Sequence, residues 1–100
     1  MAEKMLNSYE TIFIIDATLE EETVNSVKEK FTSLIEKNGT LENVDEWGKR
    51  RLAYEINDRT EGYYYLVDFK ADGEFPKELD RQFRINENIL RTIIIRKDEE

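Results

Sequence analysis

Apolar residues fall on both parities between Tyr9 and Asp16, where Tyr9, Thr11, Phe13 and Ile15 alternate with Glu10, Ile12, Ile14 and Asp16. A strand of this kind has both faces at least partly covered, which predicts a central place in a sheet. Met1 to Asn7 is a polar lead-in. Thr18-x-x-Glu21 then has the spacing of a capping box that opens a helix, with Glu20, Glu21 and Glu22 at the positive end of its dipole. Val24, Val27, Phe31, Leu34 and Ile35 recur at helical spacing and predict one buried stripe, while Lys28, Glu29, Glu36 and Lys37 face water. Consecutive helical residues point in different directions, so the three acids fit a helix start better than a metal site. Asn38-Gly39 ends the helix, with Gly39 suited to the left-handed position that closes the last turn.

Leu41 to Ile56 reads as a long, irregular strand interrupted at Trp47-Gly48, where a kink or bulge is expected. Beyond it, Leu52, Tyr54 and Ile56 alternate with Lys49, Arg51, Ala53 and Glu55, the period of a half-buried strand. Arg50 falls on the apolar parity, which places it at the strand entrance. Asn57 to Gly62 is a polar hairpin loop, and the strand Tyr63 to Ala71 should return antiparallel, with Tyr63, Tyr65, Val67 and Phe69 on the core face. Gly73 breaks that strand. Pro76 sits near the first turn of a second helix, where Phe75, Leu79 and Phe83 form a stripe, and Asn86 and Asn88 mark the exit. In the last strand, Ile89 to Lys97, Leu90, Thr92 and Ile94 alternate with Arg91, Ile93, Ile95 and Lys97. Asp98-Glu99-Glu100 is a short acidic tail.

Strand, helix, strand, strand, helix, strand is the order of the α+β ferredoxin-like fold, a four-stranded antiparallel sheet with two helices on one face. Residues 1–97 form the single domain on this reading. Two helices leave the other sheet face open, and its parity carries Ile12, Ile14, Tyr64, Leu66, Ile93 and Ile95, fringed by Arg91 and Lys97. This set is the candidate partner-docking surface. Scattered exposed apolar residues on an ordinary sheet have the same pattern.

Composition changes the picture in two ways. The 100 residues carry a formal net charge of −8, yet Lys49, Arg50 and Arg51 stand in a row. A solvated edge strand guarded against pairing would look like this, and so would an anion site. The acidic balance repels a phosphate backbone, so any RNA contact must be local and needs a partner or a wider assembly to add affinity. With 39% hydrophobic residues the chain suits one small domain, able to bury ~65% of its unfolded surface. It contains no cysteine and no histidine, which removes disulfides, thiolate metal sites, a cysteine nucleophile and the commonest general base. No apolar run is long enough to span a bilayer and no leader precedes the first strand, so a cytoplasmic, unanchored protein is expected.

Gly48-Lys49-Arg50-Arg51-Leu52-Ala53-Tyr54-Glu55-Ile56-Asn57 closely resembles the signature of the sixth small-subunit protein of the bacterial ribosome. Tyr9-Glu10-Thr11-Ile12-Phe13-Ile14-Ile15-Asp16, Glu61-Gly62-Tyr63-Tyr64, Asn88-Ile89-Leu90-Arg91 and Arg96-Lys97 extend the likeness almost end to end. The resemblance implies a structural protein that binds 16S ribosomal RNA in the platform of the small subunit, as a heterodimer with the eighteenth small-subunit protein. It implies no enzyme activity, cofactor, metal, membrane or small-molecule substrate. It marks Lys49, Arg50 and Arg51 as RNA or partner contacts and Arg91 as an RNA contact, with Arg96 and Lys97 as further additions. Many members of that family continue past the last strand, whereas here only three acidic residues follow Lys97.

Other readings use the same fold. Glu61-Gly62-Tyr63-Tyr64-Tyr65-Leu66 loosely echoes an RNA-recognition-motif strand, but Glu61, Tyr64 and Asp68 stand where a basic, a small and an aromatic residue are expected. An acylphosphatase-like hydrolase needs a glycine-rich anion loop after the first strand, where this chain has Ala17-Thr18-Leu19-Glu20. A small regulatory or ligand-binding module that self-associates through the open face is the remaining alternative.

Overall fold

The computed structural model describes residues 6–56 and 58–97. Its elements are β1 (Asn7–Asp16), α1 (Glu21–Asn38), β2 (Gly39–Ile56), β3 (Arg59–Ala71), α2 (Phe75–Ile85) and β4 (Ile89–Arg96). The strands form one antiparallel sheet in the order β2-β3-β1-β4, so β1 is central as its two apolar parities predict. This is the ferredoxin-like arrangement. Tyr9, Phe13 and Ile15 of β1 and Tyr65, Val67, Phe69 and Ala71 of β3 share one face, packed under Val24, Val27, Phe31 and Ile35 of α1 and Phe75, Leu79 and Phe83 of α2. Leu34 packs against this core from its margin.

Aromatic rings hold the layers in place. Phe13 lies 5.9 Å from Phe31, 5.1 Å from Phe83 and 5.4 Å from Tyr65, and Phe31 stacks on Phe83 at 4.3 Å. One ring of the central strand thereby touches both helices and the neighbouring strand. Pairs at these separations add about 0.5–1.5 kcal/mol each beyond area burial.

Several local expectations are corrected. α1 begins at Glu21, preceded by an extended Glu20 without a side-chain cap, because the Thr18 N–H and hydroxyl both donate to Asp16 Oδ1, at 2.9 and 2.8 Å. Thr18 is spent on a turn and no capping box forms. Gly39 is extended (φ −172°) and already part of β2; a Cβ there would collide with the Lys70 carbonyl oxygen, so close approach of β3 calls for glycine. The helix end is met instead by Asn38 Nδ2, which donates to the Leu34 carbonyl at 2.9 Å. Lys28 is half-buried and pairs with Glu46 at 3.2 Å. β3 starts at Arg59 rather than Tyr63, since Ile56 pairs with Arg59 across a tight turn containing Asp58 at φ 65°. Asn57 and the acidic tail lie outside the described residues. In β4 a register shift opposite Ile14 and Ile15 puts Ile89, not Leu90, opposite Ile15 and against the core.

The expected break at Trp47-Gly48 is present. The β2–β3 register shifts between Glu46 and Gly48, and Gly48 has φ 82°. Asp72 Oδ1 accepts from the N–H groups of Glu74 and Phe75 at 2.9 and 3.1 Å, which closes the start of α2 ahead of Pro76.

On the face away from the helices, Gly62 stands opposite both Asp16 and Arg50, and a Cβ on it would overlap Ile14 Cγ2. Gly62→Ala is therefore expected to lower stability by about 1–3 kcal/mol through overpacking. Gly73→Ala meets nothing nearer than Asn7 Nδ2 at 3.9 Å and should stay within about 0.5 kcal/mol of wild type. Urea titration of the two variants checks the contrast.

Candidate nucleic-acid interface

Pairing of β1 with β3 stops at Asp16 and Gly62, while β2 and β3 continue beyond it as a two-stranded arm. The arm's ladder runs through Arg50 opposite Gly62 and Arg51 opposite Glu61, then skips to Ile56 opposite Arg59. Residues 52–55 leave the ladder at that skip. Leu52 is buried and, across Gly62, lies over buried Ile14 on the face away from the helices, outside the main core. Tyr54, expected to face inward with Leu52 and Ile56, is 59% exposed. Register puts Arg50, and with it the parity of Leu52 and Tyr54, on the face away from the helices, and there the Tyr54 hydroxyl accepts a hydrogen bond from Arg91 Nη1 of β4, whose guanidinium lies 5.8 Å from the ring centre.

A third tie runs from the arm to β1. Arg59 Nε donates to Asp16 Oδ2 at 2.8 Å, while Asp16 Oδ1 holds Thr18 and the Asp16 N–H donates to the Asn88 carbonyl at 2.9 Å. Asp16 is 7% exposed. Burial opposes its ionisation, but the hydrogen bonds from Arg59 and Thr18, aided by the Arg59 charge, outweigh burial and hold the carboxyl below its ordinary value. The strand pattern alone gives Asp16 no such role. The Asp-Ala-Thr spacing of a side-chain turn is the available local signal for Thr18. Arg59 has none, because its partner is distant in the chain.

The six candidate cations separate into three groups. Lys49, Arg50 and Arg51 are exposed at the root of the arm and form no ion pair with any described residue. Arg91, also exposed, reaches the arm through the neutral Tyr54. Arg50 and Arg91 share the face away from the helices by register, since Arg91 aligns with Ile14 and Arg50 with Gly62 and Asp16. Arg96 and Lys97 lie at the opposite end of β4. Arg96 aligns with Tyr9 on the helix face and bonds Asn7 Oδ1 at 3.2 Å. Lys97 pairs with Asp68 at 3.0 Å, and that hydrogen bond raises its pKa. The structure does not bring these two to the arm.

The six apolar candidates do share one face. Ile93, Ile12 and Leu66 align across β4, β1 and β3, with Ile14 and Tyr64 in the next row. Ile12, Ile14, Tyr64 and Ile93 join Trp47 and Arg91 around a groove of about 250 Å³. Ile93 and Ile95 are 44% and 47% exposed, whereas Ile14, under Leu52, forms the floor. Trp47, expected against a flank, stacks on Tyr64 at 6.2 Å and donates to Asp45 at 3.1 Å. No helix among the described residues is long and apolar enough to cross a membrane.

Comparison with known proteins bears on this geometry. The sequence model of the family described as Ribosomal protein S6 matches residues 8–96. The small ribosomal subunit protein bS6 of Alkaliphilus oremlandii is 51% identical over 94 residues, covering 94% of this chain and 100% of that protein. That of Clostridium acetobutylicum is 54% identical over 91 residues, covering 90% and 96%. Among solved structures, the 30S ribosomal protein S6 from Thermotoga maritima superposes with a TM-score of 0.87 at 32% identity, covering 93% of this chain and 89% of that one.

Asp16 gives the arm a pH dependence. Its folded pKa lies below the ordinary 3.8, so its contribution to stability is complete above that value and is lost as pH falls through the lower, folded pKa. The Arg59 side chain is 39% exposed, so solvent screens the ion pair and the Thr18 bonds carry a large share. Asp16→Asn should cost about 1.5–3 kcal/mol at neutral pH. The gap between variant and wild type should narrow below pH ~4, as urea midpoints measured across pH would show.

Proposed function

The chain belongs to the ribosomal protein S6 family, structural proteins of the small ribosomal subunit and not an enzyme family, and on that premise we propose that it binds 16S ribosomal RNA in the platform together with the eighteenth small-subunit protein. Its place is accordingly the cytoplasmic ribosome. The observation that carries the RNA reading is the set of four cations, Lys49, Arg50, Arg51 and Arg91, gathered towards one end of the sheet of an acidic chain with no ion-pair partner among the described residues. Elsewhere Lys28, Arg59, Lys70, Arg81, Arg84 and Lys97 each pair with an acid, and Lys30, Lys37 and Lys77, without such a partner among the described residues, lie on the helices. Exposed cations without an ion-pair partner can neutralise phosphates and fix the protein's orientation, while base identity is read elsewhere or not at all.

A net charge of −8 makes four cations too few for binding by bulk attraction. A basic partner docked on the open face through Ile12, Tyr64, Leu66, Ile93 and Ile95 supplies the remainder, with Ile14 as the floor beneath it. At about 250 Å³ the groove falls below the ~300 Å³ at which small-molecule pockets begin, and suits an inserted side chain. Arg96 and Lys97, turned elsewhere and already engaged, contribute weakly on this reading.

A platform fragment of 16S RNA should be titrated with the protein, alone and with the eighteenth small-subunit protein, over a range of salt. Tight, salt-sensitive binding is expected with the partner present. Replacing Lys49, Arg50 and Arg51 together by alanine should flatten the logarithmic salt slope by about 0.7–0.9 for each phosphate that is no longer neutralised. Each of the three changes should alter folding stability by no more than about 0.5 kcal/mol. A triple variant that unfolds, or binds with an unchanged slope, would remove these residues from the interface.

A further inference from the structure

Tyr54 and Arg91 come from the two opposite edges of the sheet, β2 and β4, yet they touch. Three strand spacings separate such edges, about 14 Å. The contact exists because residues 52–55 leave the β3 ladder and pass over the open face, with Leu52 above Ile14 on the way. Tyr54 spends both its chemical features on Arg91, the hydroxyl as acceptor and the ring face towards the cation. Neither feature neutralises the guanidinium. An arginine has five N–H donors, so one bond to Tyr54 leaves the others for an anion. The carboxylate partners that occupy Lys28, Arg59, Lys70, Arg81, Arg84 and Lys97 have no counterpart here among the described residues.

We propose that Tyr54 is a positioning residue for RNA binding, which fixes the Arg91 guanidinium to the arm so that Arg91 and the Lys49–Arg51 run meet the RNA as one rigid unit. The inference rests on the RNA-binding reading given above. A guanidinium held in one place loses less side-chain freedom on reaching a phosphate than one that swings free, and its charge is aimed before the encounter. Tyr54 thus acts through Arg91.

Two measurements test this. In the free protein, nitrogen relaxation at Arg91 Nε–H should report an ordered group in the wild type and in Tyr54→Phe, which keeps the ring, and a mobile one in Tyr54→Ala. Equal mobility in wild type and Tyr54→Ala overturns the proposal without reference to RNA. Binding to the platform fragment with the eighteenth small-subunit protein should then be compared for Tyr54→Ala, Arg91→Ala and the double variant. Arg91→Ala should weaken binding and flatten the salt slope by about 0.7–0.9, Tyr54→Ala should weaken binding with a smaller change of slope, and the double variant should bind no more weakly than Arg91→Ala, with Tyr54→Phe recovering part of the Tyr54→Ala loss. Should Tyr54→Ala fail to fold, Tyr54→Leu, which removes hydroxyl and ring but keeps apolar bulk, takes its place in both measurements: a mobile Arg91 and an affinity loss that vanishes in the Arg91→Ala background support the proposal, and wild-type Arg91 mobility or a loss that persists in that background overturns it. A Tyr54→Ala loss of the same size in the wild-type and Arg91→Ala backgrounds means that Tyr54 meets the RNA itself, and overturns the proposal. Absence of salt-sensitive binding by the wild type overturns the RNA reading and this role with it.

Discussion

Phe13 sits in the middle of the central strand with both helices against its ring, Phe31 at 5.9 Å and Phe83 at 5.1 Å, and Tyr65 beside it at 5.4 Å. That cluster fixes the register of β1, because a slip of one residue would put Ile12 or Ile14 where Phe13 belongs. With Phe13 inward, Ile12 and Ile14 are forced to the other side, where no helix can reach them. The open face is thus a consequence of the core, and its apolar residues need cover of another kind. Part of it comes from the chain itself: Leu52 folds over Ile14, which is 7% exposed, while Ile93 and Ile95 keep nearly half their surface in water.

Charge is distributed by the same geometry. Lys28 with Glu46, Lys70 with Glu42, Arg84 with Asp80 and Lys97 with Asp68 are exposed or half-exposed pairs, each worth little in stability. Their effect on recognition is larger, since each cation so paired presents almost no field to an approaching phosphate. Lys49, Arg50, Arg51 and Arg91, without an ion-pair partner among the described residues, keep theirs. The surplus of acids repels RNA at long range, but at physiological salt that repulsion is screened beyond about 8 Å. Within that distance local cations decide the outcome, which fits the proposed contact with RNA beside a basic partner.

Element order, the central place of β1, the buried stripes of both helices and the break at Trp47-Gly48 were legible in the sequence because each rests on local periodicity or on one glycine. What was not legible depended on neighbours distant in the chain. Thr18 has the spacing of a helix cap, but Asp16, two residues earlier, claims both its donors. Gly39 has the position of a left-handed helix end, but the approach of Lys70 is what requires it. Tyr54 lies on an apolar parity that the pairing of Arg50 with Gly62 turns to the open face, and Leu90 loses its parity at the shift opposite Ile14. Of the candidate site, Lys49, Arg50, Arg51 and Arg91 could be read from charge and resemblance. That Lys97 is consumed by Asp68, that Arg96 faces the helices, and that Asp16 and Arg59 brace the arm could not, since strand register decides all three.

A hairpin that runs past the end of its sheet has little stability of its own. Here three contacts on separate residues hold it: Leu52 over Ile14, Arg59 on Asp16 and Tyr54 on Arg91. Burying a leucine is worth about 1.5–3 kcal/mol and an exposed cation–aromatic contact about 0.5–1 kcal/mol, so the apolar contact anchors the arm and the polar ones orient it. Gly62 is what lets the anchor close, because any larger residue would fill the space between Ile14 and Leu52. The basic run sits below that anchor, where β2 is still paired, Lys49 opposite Tyr63, Arg50 opposite Gly62 and Arg51 opposite Glu61. Its position is therefore set by the sheet and is insensitive to the turn at the tip. Arg91 is the exception, standing on a different strand, and the reach of Tyr54 across the open face is what joins it to the others.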